Sequence, residues 1–336
     1  MEVIRGETSV RVTVQDESQI GAARRAAVRF AADLGFSESD AGRLAIVATE
    51  GASNLARHGG GGELLLRRLG PKPAVELLAL DRGPGIADVQ RACEDGHSTG
   101  GTPGTGLGAI RRLSEVCELY SRPGGGTALM ARIGSLTTAG PAAPVQVGAV
   151  SLPHRGEDVC GDGWAVSLSP GRISAMVADG LGHGPYAARA ASEAVRVFSE
   201  QASRAPRELM ESVHGALRAT RGAAVGVAEI DLTRGVMAFA GIGNIVTIVL
   251  TGGSSRNAVS LGGIVGHERG TVRQFEYPWP EGAILVMHSD GLQSQWRLDA
   301  YPGLAQSHPA LLAGLLYRDH TRGRDDLTVL AIRESR

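Results

Sequence analysis

The sequence lacks several features that would assign a protein to a functional class at once. Its 336 residues carry a formal net charge of −1, so charge gives no argument for nucleic acid or an anionic membrane as a partner. No run of about 18 apolar residues occurs, which argues against a membrane-spanning helix. The first residues, MEVIRGETSVRVTVQDES, are strand-like and charged and lack a signal-peptide core, so we expect a cytoplasmic protein.

Cysteine and lysine are also scarce. The cysteines Cys93, Cys117 and Cys160 are far apart and lack metal-ligand spacing, which is typical of small buried thiols in a reducing compartment. Lys72 is the only lysine, and we interpret the excess of arginine as genomic composition. What remains is a chain with 43% hydrophobic residues, long enough for about two domains.

The best candidate for a linker is the stretch SLTTAGPAAPVQVG, residues 135–148, which is small, uncharged and contains proline. It predicts a first domain over 1–135, a linker over 136–148 and a second domain over 149–336. The fold class predicted is α+β, with an α/β sandwich followed by a β-sandwich flanked by helices.

The predicted elements of the first half alternate between helix and strand. A strand over 9–14 precedes helices over 17–34 and 39–57, the second with Ser37 or Ser39 as N-cap. The segments ELLLRRLG and AVELLALDRG predict a hairpin, LGAIRRLSEVCELY a helix, and GGTALMARI a closing strand. This pattern favours one sheet with helices on one face.

Strands dominate the second half. They are WAVSLSP, RISAMVADG, GVAEIDLTRG, VMAFAGIGNIVTIVLTGG, AILVMHSDG and DLTVLAIR. Helices are predicted over 186–201, 206–220 and 309–317.

The first candidate site lies on the predicted helix over 39–57. Glu50 and Asn54 are four residues apart and therefore share one helix face. Either that face is solvated or it meets a ligand, since an asparagine oxygen suits Mg²⁺ and a glutamate can act as a general base. His58 follows as the expected end of the helix, and the glycines 59–62 lead the chain into the hairpin.

Two further motifs of this half point to a nucleotide. DRGPGI places Asp81 at a strand end, where it could accept a hydrogen bond from an adenine amino group. Gly83 and Gly85 would let the base approach the backbone. GTGLG, residues 104–108, opens a helix, where free N–H groups favour phosphate. Each motif alone also fits a turn or a surface helix.

The order and spacing of these motifs resemble the GHKL ATPase fold over about residues 1–132, most closely the RsbT-like switch-protein serine kinases and anti-sigma factors of bacteria. The resemblance implies ATP with Mg²⁺, Glu50 as catalytic base, Asn54 as Mg²⁺ ligand and a lid over 94–106. The implied nucleotide-binding residues are Glu50, Asn54, Asp81, Gly83, Gly85, Gly104, Thr105, Gly106, Leu107, Gly108 and Thr127. No phosphoacceptor helix precedes this domain, so histidine autokinase chemistry is not expected.

The second candidate site is a set of aspartates at the ends of apolar strands. Asp162, Asp179, Asp290, Asp325 and Asp326 lie in CGDGWAV, VADGLGHG, HSDGL and GRDDLTVL. A single Asp-Gly pair is usually a turn. Several carboxylates at one sheet edge would repel each other, and a pair of Mg²⁺ or Mn²⁺ ions would offset that repulsion and serve phosphate chemistry.

The motifs ADGLGHG, SDGL and DDLTV resemble the SpoIIE/RsbX branch of the PPM serine/threonine protein phosphatases, over about residues 146–336. The resemblance implies one ion held by Asp162, Asp179 and the Gly180 carbonyl, and another held by Asp179, Asp290 and Asp325. Asp326 would orient the site. His183 is either a proton donor or phosphate contact, or a structural loop residue. AGIGNIVTIVL resembles the central hairpin of this branch, and His154 and Arg155 are phosphate-binding candidates by position only.

Together the two resemblances imply a partner-switching regulator. It would dephosphorylate serine or threonine on a STAS-domain antagonist in a stressosome-like pathway, and its ATP-binding domain could phosphorylate the same class of protein. A sigma factor is a further candidate partner, whereas nucleic acid and membranes are not expected. The alternatives are an anti-sigma-type binding module whose phosphatase domain modulates its partner, and an ATPase whose second half is a scaffold.

Overall fold

The computed structural model describes residues 2–92, 106–136, 144–252, 254–267 and 271–335. The strands are β1 (Glu2–Arg5), β2 (Val10–Val14), β3 (Gly62–Arg68), β4 (Ala74–Asp81), β5 (Val116–Ser121), β6 (Thr127–Gly134), β7 (Val145–Leu152), β8 (Asp162–Ser169), β9 (Arg172–Gly180), β10 (Ala223–Asp231), β11 (Val236–Ile242), β12 (Val246–Thr251), β13 (Ser254–Asn257), β14 (Phe275–Pro278), β15 (Ile284–His288) and β16 (Leu327–Glu334). The α-helices are α1 (Ile20–Asp33), α2 (Glu38–Arg57), α3 (Val89–Ala92), α4 (Gly106–Leu113), α5 (Pro185–Gln201), α6 (Pro206–Leu217) and α7 (Pro309–His320).

The chain forms two compact units. The first unit is Ser9–Gln146 with Gln306–Arg318, and the second unit is Met1–Thr8, Val147–Ala305 and Asp319–Arg336. One division, after Gln146, falls within the predicted linker. The predicted domain limits differ from these units in two segments, because residues 1–8 pack with the second unit and residues 306–318 with the first.

The first unit is built on a five-stranded antiparallel sheet with strand order β2-β3-β4-β6-β5. The predicted hairpin is confirmed as β3 and β4, with Leu64 opposite Ala79. Helices α1 and α2 cover one face of the sheet. Their buried side chains, such as Ala27 and Leu44, share one apolar core with Leu77 and other side chains on that face of the strands. This is the layered architecture expected from alternating helical and strand patterns.

Helix α2 begins and ends with the residues expected from its sequence. Ser37 is the N-cap, and its side chain accepts a hydrogen bond from the Asp40 N–H at 3.1 Å. His58 is the C-cap, and its backbone N–H donates to the Asn54 carbonyl at 2.9 Å. Gly60 and Gly61 then adopt φ values of 67° and 97°, which glycine reaches without a steric cost, and Gly62 starts β3.

The second face of this sheet is also covered, so the expectation of helices on one face only is wrong. Every residue of β4 is buried. A Cβ added to Gly314 of α7 would lie 3.2 Å from Leu80 Cδ2 and 3.4 Å from Leu78 Cδ1. The sequence pattern already indicated this, because apart from Glu76 the residues of β4 before Asp81 are apolar on both faces, which is typical of a strand buried on both faces.

The predicted helix LGAIRRLSEVCELY is correct only in its first half. Helix α4 ends at Leu113, whose carbonyl accepts a hydrogen bond from Arg43 Nη2 at 2.7 Å. The rest becomes β5, which pairs with β6 so that Tyr120 lies opposite Ala128. Pairing with β6 outweighs the helical periodicity of this short segment, because a neighbouring strand satisfies the backbone and buries the side chains.

The second unit contains two sheets and two helices packed on one of them. The six-stranded sheet has the order β1-β8-β9-β10-β11-β14 and the five-stranded sheet the order β13-β12-β15-β16-β7. Helices α5 and α6 share a core with the six-stranded sheet, including Phe198, Met210 and Val225. On its other face a Cβ at Gly226 would lie 2.9 Å from Ile245 and 3.2 Å from Met287, so the two sheets pack closely.

Two smaller expectations for the second half are also wrong. AGIGNIVTIVL is not a hairpin, since β11 pairs with β10 and β14 while β12 pairs with β13 and β15. The chain changes sheets at Gly243, whose φ of 94° and close approach to Ala224 suit glycine. The end of the predicted linker, from Val145, belongs to β7, because these residues pair with β16 at the edge of the five-stranded sheet. Within the described residues, no helix combines the length and apolarity needed to cross a membrane.

Candidate functional site

Glu50 and Asn54 converge on the first turn of α4, as their spacing on α2 predicts. A Cβ at Gly106 would lie 2.9 Å from Glu50 Oε2 and 3.7 Å from Asn54 Oδ1. The shared face of α2 is therefore directed at the N-terminus of a second helix. The free N–H groups at the N-terminus of α4 favour an anion, and the Glu50 carboxylate and the Asn54 amide, which face the same space, favour the cation that accompanies it.

Asp81 lies at the end of β4 in a tight glycine-lined turn. Its Oδ1 accepts hydrogen bonds from the Gly83 N–H at 2.9 Å and the Thr127 N–H at 3.0 Å. This leaves Oδ2 as the oxygen that a ligand's amino group would contact. Burial is the largest influence on this carboxyl and raises the pKa of Asp81 above its ordinary value.

The glycines beside Asp81 are required by close approaches of the backbone. A Cβ at Gly83 would lie 2.8 Å from the His58 carbonyl oxygen. Gly85 has a φ of 73°, and a Cβ there would lie 1.9 Å from the Arg122 carbonyl oxygen. Both glycines thus shape the turn and keep the space beside Asp81 free, which fits the cradle expected for a nucleotide base.

Thr127 belongs to the same corner. Its hydroxyl is 3.0 Å from Ser121 Oγ, and Ser121 Oγ donates to the Gly126 carbonyl at 2.8 Å. The Ile86 N–H donates to the same Ser121 oxygen, so this serine connects the Asp81 turn with the start of β6. Ser121 was not singled out in the sequence, because its role depends on pairing between β5 and β6.

Not every predicted nucleotide-binding residue can be placed. Gly104, Thr105 and all but the last residue of the predicted lid over 94–106 lie outside the described residues. Gly106 opens α4 as predicted, Leu107 packs against the core of the first unit and Gly108 is buried.

We expect Asp81→Asn to weaken ATP binding by about 10- to 100-fold, because the variant loses a charged acceptor whose hydrogen bond is worth about 1.5–3 kcal/mol. Titration calorimetry with ATP and Mg²⁺ would measure the change. Asp33→Asn, an exposed carboxylate at the end of α1, is the matched control. Equal ATP affinity in the Asp81 variant and the wild type would remove Asp81 from the pocket.

The aspartates of the second unit gather around one cavity. Asp179, Asp290 and Asp325 line an open cavity of about 470 Å³, together with Leu181, Gly182, Ala224, Gly243, Asn244, Gly263 and Ile264. Asp179 comes from the end of β9, Asp290 follows β15, and Asp325 precedes β16. The sheet topology therefore brings together the three residues predicted to share one ion.

Asp162 and Asp326 lie deeper, beside this cavity. Asp162 is directly opposite Asp179 in the pairing of β8 with β9, and its Oδ2 accepts a hydrogen bond from Ser289 Oγ at 2.6 Å. Asp326 Oδ1 accepts from the His154 N–H at 2.9 Å. The remaining oxygens, Asp162 Oδ1 and Asp326 Oδ2, are buried without a hydrogen-bond donor.

These carboxylates disturb one another electrostatically. Burial, followed by the charges of Asp290, Asp325 and Asp326, raises the pKa of Asp179 to about 7. Burial and the charge of Asp179 raise the pKa of Asp162 well above its ordinary value. Burial and Asp325 raise the pKa of Asp290. Such a cluster is costly unless a cation or protons balance it.

The donor set fits divalent cations that prefer oxygen ligands. Two buried carboxylate oxygens lack hydrogen-bond donors, and the pKa values of Asp162 and Asp179 are raised. A divalent cation would contact such oxygens and offset the negative charge of the cluster. Within the described residues, no three His, Cys, Asp or Glu side chains already form a closed ligand group around one point. The carboxylates are thus gathered at one edge, and an ion would complete its shell with other oxygen ligands.

His183 and His154 form a stacked pair near Asp326. Their ring centroids are 4.9 Å apart with an interplanar angle of 19°, and His183 Nδ1 is 2.7 Å from Glu157 Oε1. Glu157 was missed in the sequence, because nothing in GEDVC indicates that it would meet a histidine 26 residues away. The His183 ring is exposed, whereas His154 contacts Asp326 through its backbone N–H.

Two other residues of this site were missed. Asn244 Nδ2 donates to Asp290 Oδ2 at 2.7 Å and lines the cavity. The Arg221 guanidinium lies 4.6 Å from the centre of the Tyr186 ring, and a Cβ at Gly182 would lie 3.3 Å from its Nη1. Arg221 therefore provides a cation beside a cavity-lining residue. The motif GIGN gave a weak indication of Asn244, and nothing in the sequence indicated Arg221.

Gly180, the predicted carbonyl ligand, follows Asp179 at the end of β9. A Cβ there would lie 2.2 Å from the Ala187 carbonyl oxygen, so helix α5 can pack this closely only because residue 180 is a glycine. Its N–H donates to the Gly161 carbonyl at 3.0 Å, which fixes the backbone beside Asp179.

The first unit has the architecture of an ATP-binding α/β sandwich, and the second that of a phosphatase β-sandwich with a carboxylate edge. Residues 12–133 match the family described as Histidine kinase-like ATPase domain, and residues 169–334 match the family described as Stage II sporulation protein E (SpoIIE). The chain belongs to the RsbT-like branch of the histidine kinase-like ATPases, joined to a SpoIIE-type PPM phosphatase domain.

Individual relatives agree with both assignments. The chain is 34% identical over 122 residues to the serine/threonine-protein kinase RsbT of Bacillus subtilis (strain 168), which covers 36% of this chain and 92% of RsbT. It is 22% identical over 149 residues to the phosphoserine phosphatase RsbX of the same organism, covering 44% of this chain and 75% of RsbX.

Two solved structures share part of this chain's fold. A structure of RsbX in complex with magnesium has a TM-score of 0.52 and 22% identity over 57% of this chain and 96% of that chain. A chain from a study of the bacterial stressosome as a modular system for secondary messenger signalling has a TM-score of 0.53 and 29% identity over 56% of this chain and 99% of that chain. The predicted fold class and the two predicted families are confirmed.

Proposed function

We propose that this protein is a cytoplasmic partner-switching regulator that removes phosphate from phosphoserine or phosphothreonine on a STAS-domain antagonist. The observation that carries the proposal is the cavity lined by Asp179, Asp290 and Asp325, beside buried carboxylate oxygens that lack donors. The family match to SpoIIE-type phosphatases and the name of RsbX, a phosphoserine phosphatase, support the same chemistry.

The residues proposed to hold two Mn²⁺ or Mg²⁺ ions are those expected from the sequence. Asp162, Asp179 and the Gly180 carbonyl would hold one ion, and Asp179, Asp290 and Asp325 the other. When bound, such ions activate water and offset the charge of a phosphoryl group. The Asn244 amide holds one oxygen of Asp290, and the His154 N–H holds one oxygen of Asp326, so both carboxylates are oriented before a cation arrives.

The substrate phosphate needs positive charge or hydrogen-bond donors outside the carboxylate set. Arg221 and His183 are the candidates, since the Arg221 guanidinium lies near Gly182 and His183 is the exposed residue that follows Gly182. Arg155 keeps only its sequence-based candidacy. His183 would act as a phosphate contact or proton donor, held by Glu157 in the orientation that the structure gives it.

The first unit is proposed to bind ATP with Mg²⁺ and to transfer phosphate to a serine or threonine of the same class of protein. Asp81 would contact the adenine amino group, Asn54 would hold Mg²⁺, and Glu50 would accept the hydroxyl proton. The convergence of Glu50 and Asn54 on Gly106 supports this assignment. The name of RsbT, a serine/threonine-protein kinase, supports the type of reaction.

The test of both activities uses the full chain, a STAS-domain protein in phosphorylated and unphosphorylated forms, ATP, and either Mn²⁺ or Mg²⁺. Loss of phosphate from the first form supports the phosphatase, and its persistence with every metal contradicts it. Transfer from labelled ATP to the second form supports the kinase. Complex formation with a sigma factor, without phosphate moving in either direction, would favour an anti-sigma-type binding module.

We expect Glu50→Gln to keep ATP affinity within about threefold and to lower phosphate transfer by about 100-fold or more, because a neutral amide cannot accept the hydroxyl proton. Calorimetry and transfer from labelled ATP measure the two effects. Asp290→Asn serves as the matched comparison, since we expect it to preserve transfer and reduce dephosphorylation. Transfer at the wild-type rate in Glu50→Gln would exclude Glu50 as the base.

A further inference from the structure

A segment of the phosphatase sequence completes the ATP-binding unit. Residues 306–318 lie in sequence between Asp290 and Asp325, yet they pack with the first unit. The Tyr317 hydroxyl donates to Glu63 Oε2 at 2.6 Å, and the His308 N–H donates to Glu118 Oε1 at 3.0 Å. Together with Gly314 against Leu78 and Leu80, these contacts attach α7 to three strands of the sheet, β3, β4 and β5.

Arg318, at the last residue of this segment, reaches the proposed adenine corner. Its Nη1 donates to the Asp81 carbonyl oxygen at 2.6 Å and its Nη2 donates to the Gly125 carbonyl oxygen at 3.0 Å. Asp81 and Gly125 belong to different turns, and Thr127 follows the second of them. One guanidinium therefore connects the two backbone segments that position the Asp81 carboxylate and the Thr127 N–H that donates to it.

The next residues fasten the chain to the loop that carries Asp290. The Tyr301 hydroxyl donates to Asp319 Oδ2 at 2.9 Å, and the Gln293 N–H donates to the His320 carbonyl at 2.9 Å. The Arg322 N–H donates to the Gly291 carbonyl at 2.8 Å. Asp325 follows seven residues after Arg318, so one short stretch runs from the adenine corner to a proposed metal ligand.

We propose that Arg318 is a positioning residue for the nucleotide site, and that the stretch from Arg318 to Asp325 couples nucleotide occupancy to metal binding at the phosphatase cavity. The inference rests on the proposed function of both sites. A nucleotide that holds Asp81 and the turn at Gly125 in place also holds Arg318, and through the covalent chain it restricts the segment that carries Asp325. Coupling of this kind is reciprocal, because each ligand changes the affinity for the other by the same factor.

The positioning role is tested by nucleotide affinity in the full chain. We expect Arg318→Ala to bind the non-hydrolysable analogue AMP-PNP with Mg²⁺ about 10-fold more weakly, since two hydrogen bonds from a charged donor are lost. Arg318→Lys should bind with intermediate affinity, because an ammonium group cannot reproduce the planar two-point contact. Arg29→Ala, an exposed arginine on α1, is the control and should bind as the wild type does.

The coupling is tested with p-nitrophenyl phosphate as the phosphatase probe. At fixed free Mn²⁺ concentrations, we expect AMP-PNP to lower the Mn²⁺ concentration for half-maximal hydrolysis by about fivefold in the wild type. The shift should disappear in Arg318→Ala at AMP-PNP concentrations that saturate the variant. Asp179→Asn should weaken AMP-PNP binding by the same factor in the presence of Mn²⁺, which is a measurement that needs no hydrolysis.

The outcomes separate the inference from the function on which it rests. Equal AMP-PNP affinity in Arg318→Ala and the wild type contradicts the positioning role. If AMP-PNP does not change the Mn²⁺ concentration for half-maximal hydrolysis in the wild type, the coupling is contradicted and the phosphatase assignment stays intact. If the wild type showed no Mn²⁺-dependent hydrolysis, the proposed function would fail, and the two affinity comparisons would still decide the role of Arg318 and the coupling.

Discussion

Asp179→Asn is expected to lower Mn²⁺- or Mg²⁺-dependent dephosphorylation by more than about 100-fold, since even the loss of a partner behind a ligand costs about 10–100-fold in metal affinity or activity. Asp179 is the residue proposed to contact both ions, and burial, followed by the charges of the neighbouring aspartates, raises its pKa to about 7. An amide at this position removes that charge and one ligand of each ion.

Hydrolysis of a phosphoprotein and Mn²⁺ binding by calorimetry measure the Asp179→Asn effect independently. Asp158→Asn changes an exposed carboxylate of the same unit and should retain the wild-type rate and metal affinity. A rate close to wild type for Asp179→Asn, with an unchanged dependence on Mn²⁺, would refute the metal assignment.

The second large effect is expected at a buried ion triad in the first unit. Arg67 Nη2 and Arg132 Nη2 each lie 2.6 Å from a different oxygen of Glu76, and Glu76 is 1% exposed. Glu76→Gln removes the buried carboxylate that both guanidinium groups contact. Breaking such a group costs about 3–5 kcal/mol of unfolding free energy.

The pH dependence of this triad follows from the pKa of Glu76. Burial opposes ionisation, but the charges of Arg67 and Arg132 outweigh it and lower the pKa of Glu76 to about 2. A carboxyl with a lowered pKa in the folded state stabilises the protein fully above its unfolded value, near 4.5, and this contribution is lost as the pH falls from there toward 2. The Glu76→Gln variant should lack that part of the acid sensitivity.

Hydrogen exchange of a peptide that covers β4 measures the Glu76→Gln effect on this unit directly, because opening of the sheet exposes its amides. The exposed substitution Asp33→Asn should change the free energy of opening by less than about 0.5 kcal/mol. A Glu76→Gln protein with wild-type protection at pH 7 would contradict the role given to the triad.

Local patterns predicted the elements of the site well. The Glu50–Asn54 spacing, the Ser37 cap and the glycines after His58 act over one or two helical turns, so the sequence determines them. In the same way, an apolar strand followed by Asp-Gly places a carboxylate at a sheet end, which is where the structure has Asp179 and Asp290. These expectations concern neighbours in sequence and need no knowledge of distant contacts.

Expectations that depended on strand partners failed where local preference was weak. The segment VCELYS has helical periodicity when it is read with LGAIRRL, but in the structure it forms a strand that pairs with β6. VMAFAGIGNIVTIVL looks like two strands of a hairpin, and its halves join different sheets. In both cases pairing with a distant strand supplies hydrogen bonds and burial that the local sequence does not specify.

The sequence by itself determined the two domain classes and predicted the carboxylates that the structure gathers at one cavity, because short motifs with fixed spacing encode them. Only the tertiary structure assigned α7 to the ATP-binding sheet and directed Arg318 to the Asp81 corner. Nothing near Arg318 in the sequence indicates a partner 237 positions away. That contact exists because Leu78 and Leu80, on the second face of β4, are buried by a helix encoded far along the chain.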